Sequence, residues 1–164
     1  LRESILRILD RLKPKKMVIV SSAPQIRFPD CYGIDMAKLG DFVAFQAAIS
    51  LLKSSNRQYV IDEVYALCKA QNTLPKEEVV NHVVKIYEPF TDKQLEDEIA
   101  RLLTPVDINA EVKIQFQSVE GLHEASPEHT GDWYFTGNYP TAGGNKVVNR
   151  AFINYYEGKD IRAY

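Results

Sequence analysis

The stretch VIVSSAPQIRFPDCYGIDM, Val18 to Met36, decides the fold. It begins inside a continuous apolar run, Met17-Val18-Ile19-Val20. Such runs suit a parallel strand buried on both faces. Ahead of it, Leu1, Ile5, Ile8, Leu9 and Leu12 recur at helical spacing. Arg2, Glu3, Arg7, Asp10 and Arg11 take the other face, and Pro14 ends the pattern. Helix, short turn and buried strand make the second half of a βαβ unit. Because the helical pattern begins at Leu1 with no cap residue before it, an upstream segment carrying the first strand is expected. The loop 21–35 leaves the carboxyl end of the strand, the edge where open α/β sheets hold ligands. In fifteen residues it places two serines, two prolines, an arginine, two aspartates, a cysteine and a glycine. A connector has no need of so much specified chemistry.

The middle of the chain reads as helical. Residues 36–53 carry Leu39, Phe42, Val43, Ala47, Ile49 and Leu51 at suitable spacing, and residues 58–70 carry Val60, Ile61, Val64, Leu67 and Cys68. Residues 75–87 carry Val79, Val80, Val83, Val84 and Tyr87, with Pro75 tolerated in a first turn. Thr91 with Gln94 forms a capping-box pattern opening a helix that Pro105 stops. The period then changes: Val112, Ile114 and Phe116 alternate with Lys113, Gln115 and Gln117, a strand with one buried face. Ser118 is placed to cap a short helix over 119–125. The turn-rich DWYFTGNYPTAGG follows, and a last helix over 145–157 ends at Gly158.

Composition narrows the class. With 164 residues the chain suits one domain or one large fragment. A chain of this size buries roughly 70% of its unfolded surface. The formal charge of -2 gives no drive toward nucleic acid or an anionic membrane. No apolar run approaches the ~20 residues of a membrane helix. Cys31 and Cys68 make no disulfide framework, and no N-x-S/T acceptor occurs. Both points favour a reducing, cytoplasmic setting.

Several constellations have ordinary readings. His123 and His129 lie beside Glu124 and Glu128, but their spacing fits no helical metal pair, and a solvated segment is favoured. Gly143-Gly144-Asn145-Lys146 before a helix has the look of an anion-binding turn. It lacks the full P-loop pattern, and a structural turn is favoured. Cys68 falls on a helix stripe as a core residue. Cys31 has no basic neighbour in sequence to activate it. Arg27 lies between two prolines at the sheet edge. It either grips a phosphate or carboxylate or pairs with Asp30 or Asp35.

Three blocks together, SSAPQIRFPDCYGIDM, FQSVEGL and FTGNYPT, resemble in order the closing part of the amidophosphoribosyltransferase family. The first is similar to the family pattern S-x-P-x-[IV]-[RK]-x-P-x-x-Y-G-I-D. The blocks cover both ends of the chain but not 51–111, which is longer than the family carries there. The resemblance implies a C-terminal fragment of a type I phosphoribosyltransferase-like α/β fold. Residues 1–50 would end the transferase core, 51–111 would be a helical insertion, and 112–164 would close the chain.

The implied activity of the whole protein is transfer of glutamine-derived ammonia to phosphoribosyl pyrophosphate, the first step of purine synthesis. Mg²⁺ accompanies the substrate, purine nucleotides regulate, and the protein is expected to be a homo-oligomer. Upstream glutaminase and transferase segments of the same polypeptide are implied partners. The phosphate-cradling loop of the family precedes the helix that resembles the one at Leu1, so this chain alone is expected to be inactive. Ser21, Ser22, Arg27, Tyr32 and Asp35 match the family pattern and are the implied substrate-binding residues. None is given a proton-transfer role, since positioning and charge stabilisation dominate such chemistry. Many members hold an iron–sulfur cluster by thiolates. Gly131, Tyr134 and the residue before Cys31 occupy the aligned positions, so no cluster is expected. A stand-alone regulatory or binding module derived from a transferase is the alternative, and the upstream coding sequence discriminates.

Overall fold

The computed structural model describes residues 4–34, 36–129 and 131–163. Leu1, Arg2, Glu3 and Asp35, all named above, lie outside them. The chain is mixed helix with a small parallel sheet. Helix α1 (Ile5–Asp10) leads into strand β1 (Lys16–Ser21), and β1 pairs in parallel with β2 (Glu111–Phe116) from Lys16 opposite Glu111 to Ser21 opposite Phe116. Between the strands lie α2 (Val43–Ser54), α3 (Gln58–Ala70) and α4 (Asp92–Leu103). After β2 come α5 (Val119–Ala125), α6 (Trp133–Thr136) and α7 (Ala142–Tyr156).

The alternation expected of β2 holds, with Ile114 buried and Lys113 and Gln115 exposed. The expectation for β1 does not. Met17 is buried, but Val18 is 54% and Val20 71% exposed. One face of the sheet packs on the helices, and the other is open among the described residues. The α1 stripe is corrected in the same way. Leu6 is the buried residue, packed with Met17 and Ala110, while Ile5, Ile8, Leu9 and Leu12 are exposed. The physical reason is shared: among the described residues no layer packs on the sheet face that carries Val18 and Val20 or on the outer stripe of α1. Asp10 fastens α1 to the start of β2 by accepting hydrogen bonds from the amides of Asn109 and Ala110.

The main core runs through both ends of the chain and residues 51–111 alike. Phe45 and Leu52 of α2, Val64 of α3, Leu95 and Ile99 of α4, and Val148 and Phe152 of α7 are all fully buried in one cluster that reaches Ile114 of β2. Phe45 meets the edges of Phe152 and Tyr155 at ring separations of 6.1 and 4.7 Å. The capping box is present, with Thr91 accepting from the Gln94 amide and Gln94 accepting from the Thr91 amide.

A helix expected over 75–87 is instead two 3₁₀ turns, Lys76–Glu78 and Val83–Ile86, joined by extended chain. Backbone groups that a helix would pair internally are claimed by distant side-chain amides. Asn145 and Asn149 donate to the carbonyls of Val79 and Val80, and Gln71 and Asn149 accept from the amides of Val80 and His82. The helix expected from residue 36 starts at Val43, after a 3₁₀ turn over Leu39–Asp41.

The C-terminal end of α7 is tied to α3 by Glu157, which accepts from the Tyr65 hydroxyl at 2.8 Å and pairs with Lys69 at 3.0 Å and Lys159 at 2.5 Å. Lys159, Tyr65 and Lys69 hold its pKa down to about 2. A depressed carboxylate contributes stability above its unfolded value and loses it as pH falls through the folded one. Wild-type stability is therefore expected to decline between about pH 4.5 and pH 2 more steeply than that of Glu157→Gln. Parallel pH–Tm curves for the two proteins would contradict this.

Candidate functional site

The three blocks come together at the carboxyl end of the two strands. Ser21 ends β1 opposite Phe116, and the loop crosses the sheet edge from there. The amides of Arg27 and Phe28 both donate to the Tyr134 carbonyl, at 2.8 and 3.0 Å. The Tyr139 hydroxyl donates to the Pro29 carbonyl at 2.6 Å. From residues 51–111, the Tyr87 hydroxyl donates to the Arg27 carbonyl at 2.6 Å. The loop is thus held on its backbone by phenols and a carbonyl from two later segments.

Its centre is Asp30, fully buried. One carboxylate oxygen accepts from the amides of Tyr32 and Ile34 at 2.8 and 3.0 Å, and the other accepts from the Tyr134 hydroxyl at 2.8 Å. Burial works to raise the Asp30 pKa, but the Ile34 amide, the Tyr134 hydroxyl and the Tyr32 amide outweigh it, so the carboxyl titrates below its ordinary value. Burial and the Asp30 bond push Tyr134 up to about 12. Both groups therefore keep fixed roles as acceptor and donor at neutral pH. Asp30 and Tyr134 are two of the positions where the resembled family carries cluster thiolates. Here the Tyr134 hydroxyl donates to Asp30, and neither side chain is a thiolate of the kind that holds such a cluster. Burial and the neighbouring Asp30 raise the Cys31 pKa, which leaves it a poor nucleophile.

The implied site residues do not converge on one point. Ser21 folds back, its hydroxyl donating to the Ala23 carbonyl at 2.9 Å, and lines a largely apolar concavity of about 320 Å³ with Met36, Phe42 and Phe116. Arg27 lines a smaller one of about 140 Å³ with Asp92, Glu96, Gln117 and Ser118. Pro24, Gln25 and Phe116 border both. Ser22 is exposed. Tyr32 is exposed as well and stands edge-on to Trp133, ring centroids 6.0 Å apart. Asp35 lies outside the described residues.

Arg27 is neither free nor paired with Asp30. Its guanidinium pairs with Asp92 at the start of α4, donates to Gln25 at 3.0 Å and lies 5.5 Å from the Tyr87 ring centre. Its Nε is buried with no hydrogen-bond partner among the described residues. Its ion pair is thus made with a carboxylate other than the two weighed in the sequence, of which Asp35 lies outside the described residues. Gln25, 4% exposed and donating to the Asp92 carbonyl at 3.2 Å, is a site residue the sequence reading missed. So are Asp92 and Tyr134. The signal available for Asp30 was local, since aspartate two residues before an amide it can bind is a turn-forming pattern.

Arg27→Ala is expected to cost about 1–2 kcal/mol, through lost packing on Tyr87 and loss of the Gln25 bond. Asp92, mostly exposed in this pair, should cost less than about 1 kcal/mol as Asp92→Ala. Urea unfolding of the two variants checks the order, and an equal or larger loss for Asp92→Ala would reverse the assignment.

Among the described residues no group of three carboxylate, imidazole or thiol side chains could hold a metal ion, and no helix is long and apolar enough to cross a membrane. Comparison with family models, with curated proteins and with solved structures finds no match for this chain.

Proposed function

We propose that the chain is the C-terminal part of an amidophosphoribosyltransferase, and that the loop 21–35 forms one wall of its phosphoribosyl pyrophosphate site. The observation that carries this reading is the meeting of the three resembling blocks, far apart in sequence, at the carboxyl edge of a parallel sheet. That edge is where ligands of α/β folds bind. The open face of β1 and the exposed stripe of α1 are compatible with a sheet that continues in the rest of such an enzyme.

In this reading the described residues bind and position. Asp30, Tyr134 and Tyr139 hold the loop backbone, and Arg27 meets a substrate oxygen by exchanging Asp92 for it. Such an exchange replaces one charge-assisted bond by another and keeps the guanidinium paired. The Mg²⁺ that accompanies the substrate has no fitting ligand set among these residues, so no step is assigned to it here. Purine nucleotides as regulators and a homo-oligomeric state belong to the same proposal.

Genetic complementation tests it. The complete reading frame that contains this chain should restore growth without purines to cells lacking amidophosphoribosyltransferase. Arg27→Ala in that frame should restore it poorly. No rescue by a well-expressed, folded product would favour the stand-alone module instead.

A further inference from the structure

We infer that the basic concavity between the first turns of α7 and the segment 74–76 binds a phosphorylated small molecule with an apolar group. The concavity measures about 350 Å³, with Lys76, Lys146 and Arg150 among its lining residues, over Leu74, Pro75 and Val147. Lys146 and Arg150 stand four residues apart on α7 and so share a face, where like charges repel. Among the described residues neither meets a carboxylate within ion-pair distance. Lys76 comes from the opposite wall, and its carboxylate neighbour Glu77 is a long 4.0 Å away. Three cations converge on one hollow with little to offset them. A bound anion would supply what the described residues do not.

The stretch Gly143-Gly144-Asn145-Lys146, expected from the sequence as a turn before a helix, lies instead within the first turns of α7, and it divides into two roles. Gly144 packs against the Tyr139 ring and is structural. Gly143 lines the hollow, and a Cβ there would meet only Thr141 Oγ1 at 3.9 Å, so the backbone can be approached closely. No side chain caps this end of α7. Asn145, donating to the Val79 carbonyl at 2.9 Å, fixes the wall that carries Lys146 to the segment opposite. The apolar floor decides the ligand class. An inorganic anion would leave Leu74, Pro75 and Val147 wet, whereas a phosphate ester covers the floor and meets the cations together.

Phenyl phosphate is the probe. Calorimetric titration of the chain should show saturable binding, tighter than that of inorganic phosphate and weakened by added salt. Lys146→Ala and Arg150→Ala should each weaken it roughly tenfold, as loss of one charge-assisted contact does. Arg150→Lys should retain more of the affinity than Arg150→Ala. The double variant Lys146→Glu with Arg150→Glu should abolish binding while circular dichroism stays unchanged, both residues being exposed. Arg27→Ala should bind normally, which separates this site from the proposed transferase site. No saturable binding by the wild type, or equal binding by Lys146→Ala, would overturn the inference.

Discussion

Asp30→Ala is expected to destabilise the protein by roughly 3 kcal/mol, a large effect for one loop residue. The substitution deletes an acceptor used by three donors: the amides of Tyr32 and Ile34 and the hydroxyl of Tyr134. A buried donor left without a partner costs about 1–3 kcal/mol. The two amides belong to exposed residues and regain water in part, so the Tyr134 hydroxyl carries much of the loss. Tyr134→Phe removes a single bond and should cost about 1 kcal/mol. Since the two changes act on one contact, their effects should not add.

The pH dependence has a definite sign. The Asp30 pKa is lowered by folding. Its stabilisation is present above the unfolded carboxyl range and lost on acidification. The gap between wild type and Asp30→Ala should therefore narrow as pH falls below that range. A gap that is constant with pH would mean that packing, not the carboxylate, holds the loop.

Gly137→Ala is expected to be as damaging, for a steric reason. Gly137 follows α6 with φ at +78°, the left-handed region where a side chain is strained. A Cβ there would lie 2.6 Å from Asn81 Nδ2 and 3.0 Å from the Phe28 ring. The Asn81 amide donates to the Gly137 carbonyl at 3.1 Å, so it cannot retreat without breaking that bond. Left-handed strain of about 1–2 kcal/mol and overpacking of about 1–3 kcal/mol together suggest a loss near 3 kcal/mol. In a chain of this size that lowers Tm by roughly 6–12 °C. Gly143→Ala is the control: its Cβ meets only Thr141 Oγ1 at 3.9 Å inside a helix, where alanine is favoured over glycine, so stability should hold or rise by up to about 1 kcal/mol. Similar losses for the two variants would deny Gly137 its special place between the loop and residues 51–111.

Where local signals decide, the sequence was legible. The α3 stripe, the Thr91–Gln94 box, the Ser118 cap and the alternation of β2 each depend on residues within a few positions of one another, and each appears as read. What failed depended on distant partners. The apolar run of β1 states that Val18 and Val20 are hydrophobic, but not whether a neighbour covers them. The stripe of α1 has the same ambiguity. Residues 79–83 look helical until Asn145 and Asn149 take their carbonyls and amides.

The site divides likewise. Its position at the carboxyl end of β1 followed from strand and loop order. The partner of Arg27 is 65 residues away and the Asp30 partner 104 residues away, so neither could be read from spacing. Arg27 was weighed against two nearby aspartates, and the carboxylate that holds it came from the helices between the strands.

That dependence also gives residues 51–111 a concrete task. They deliver Tyr87 and Asp92 to Arg27 and Asn81 to Gly137, so the conformation of the loop is coupled to α4 and to the chain before it. Disturbing α4 should therefore be felt at the sheet edge.

The most direct measurement is pyrophosphate release from phosphoribosyl pyrophosphate and Mg²⁺, with glutamine or ammonia, by the product of the complete reading frame. Release with either nitrogen source, strongly reduced by Arg27→Ala and little changed by Asp92→Ala, is the result predicted by a loop that walls the substrate site. A folded full-length protein that releases no pyrophosphate above the buffer rate, or one whose activity is indifferent to Arg27, would contradict it.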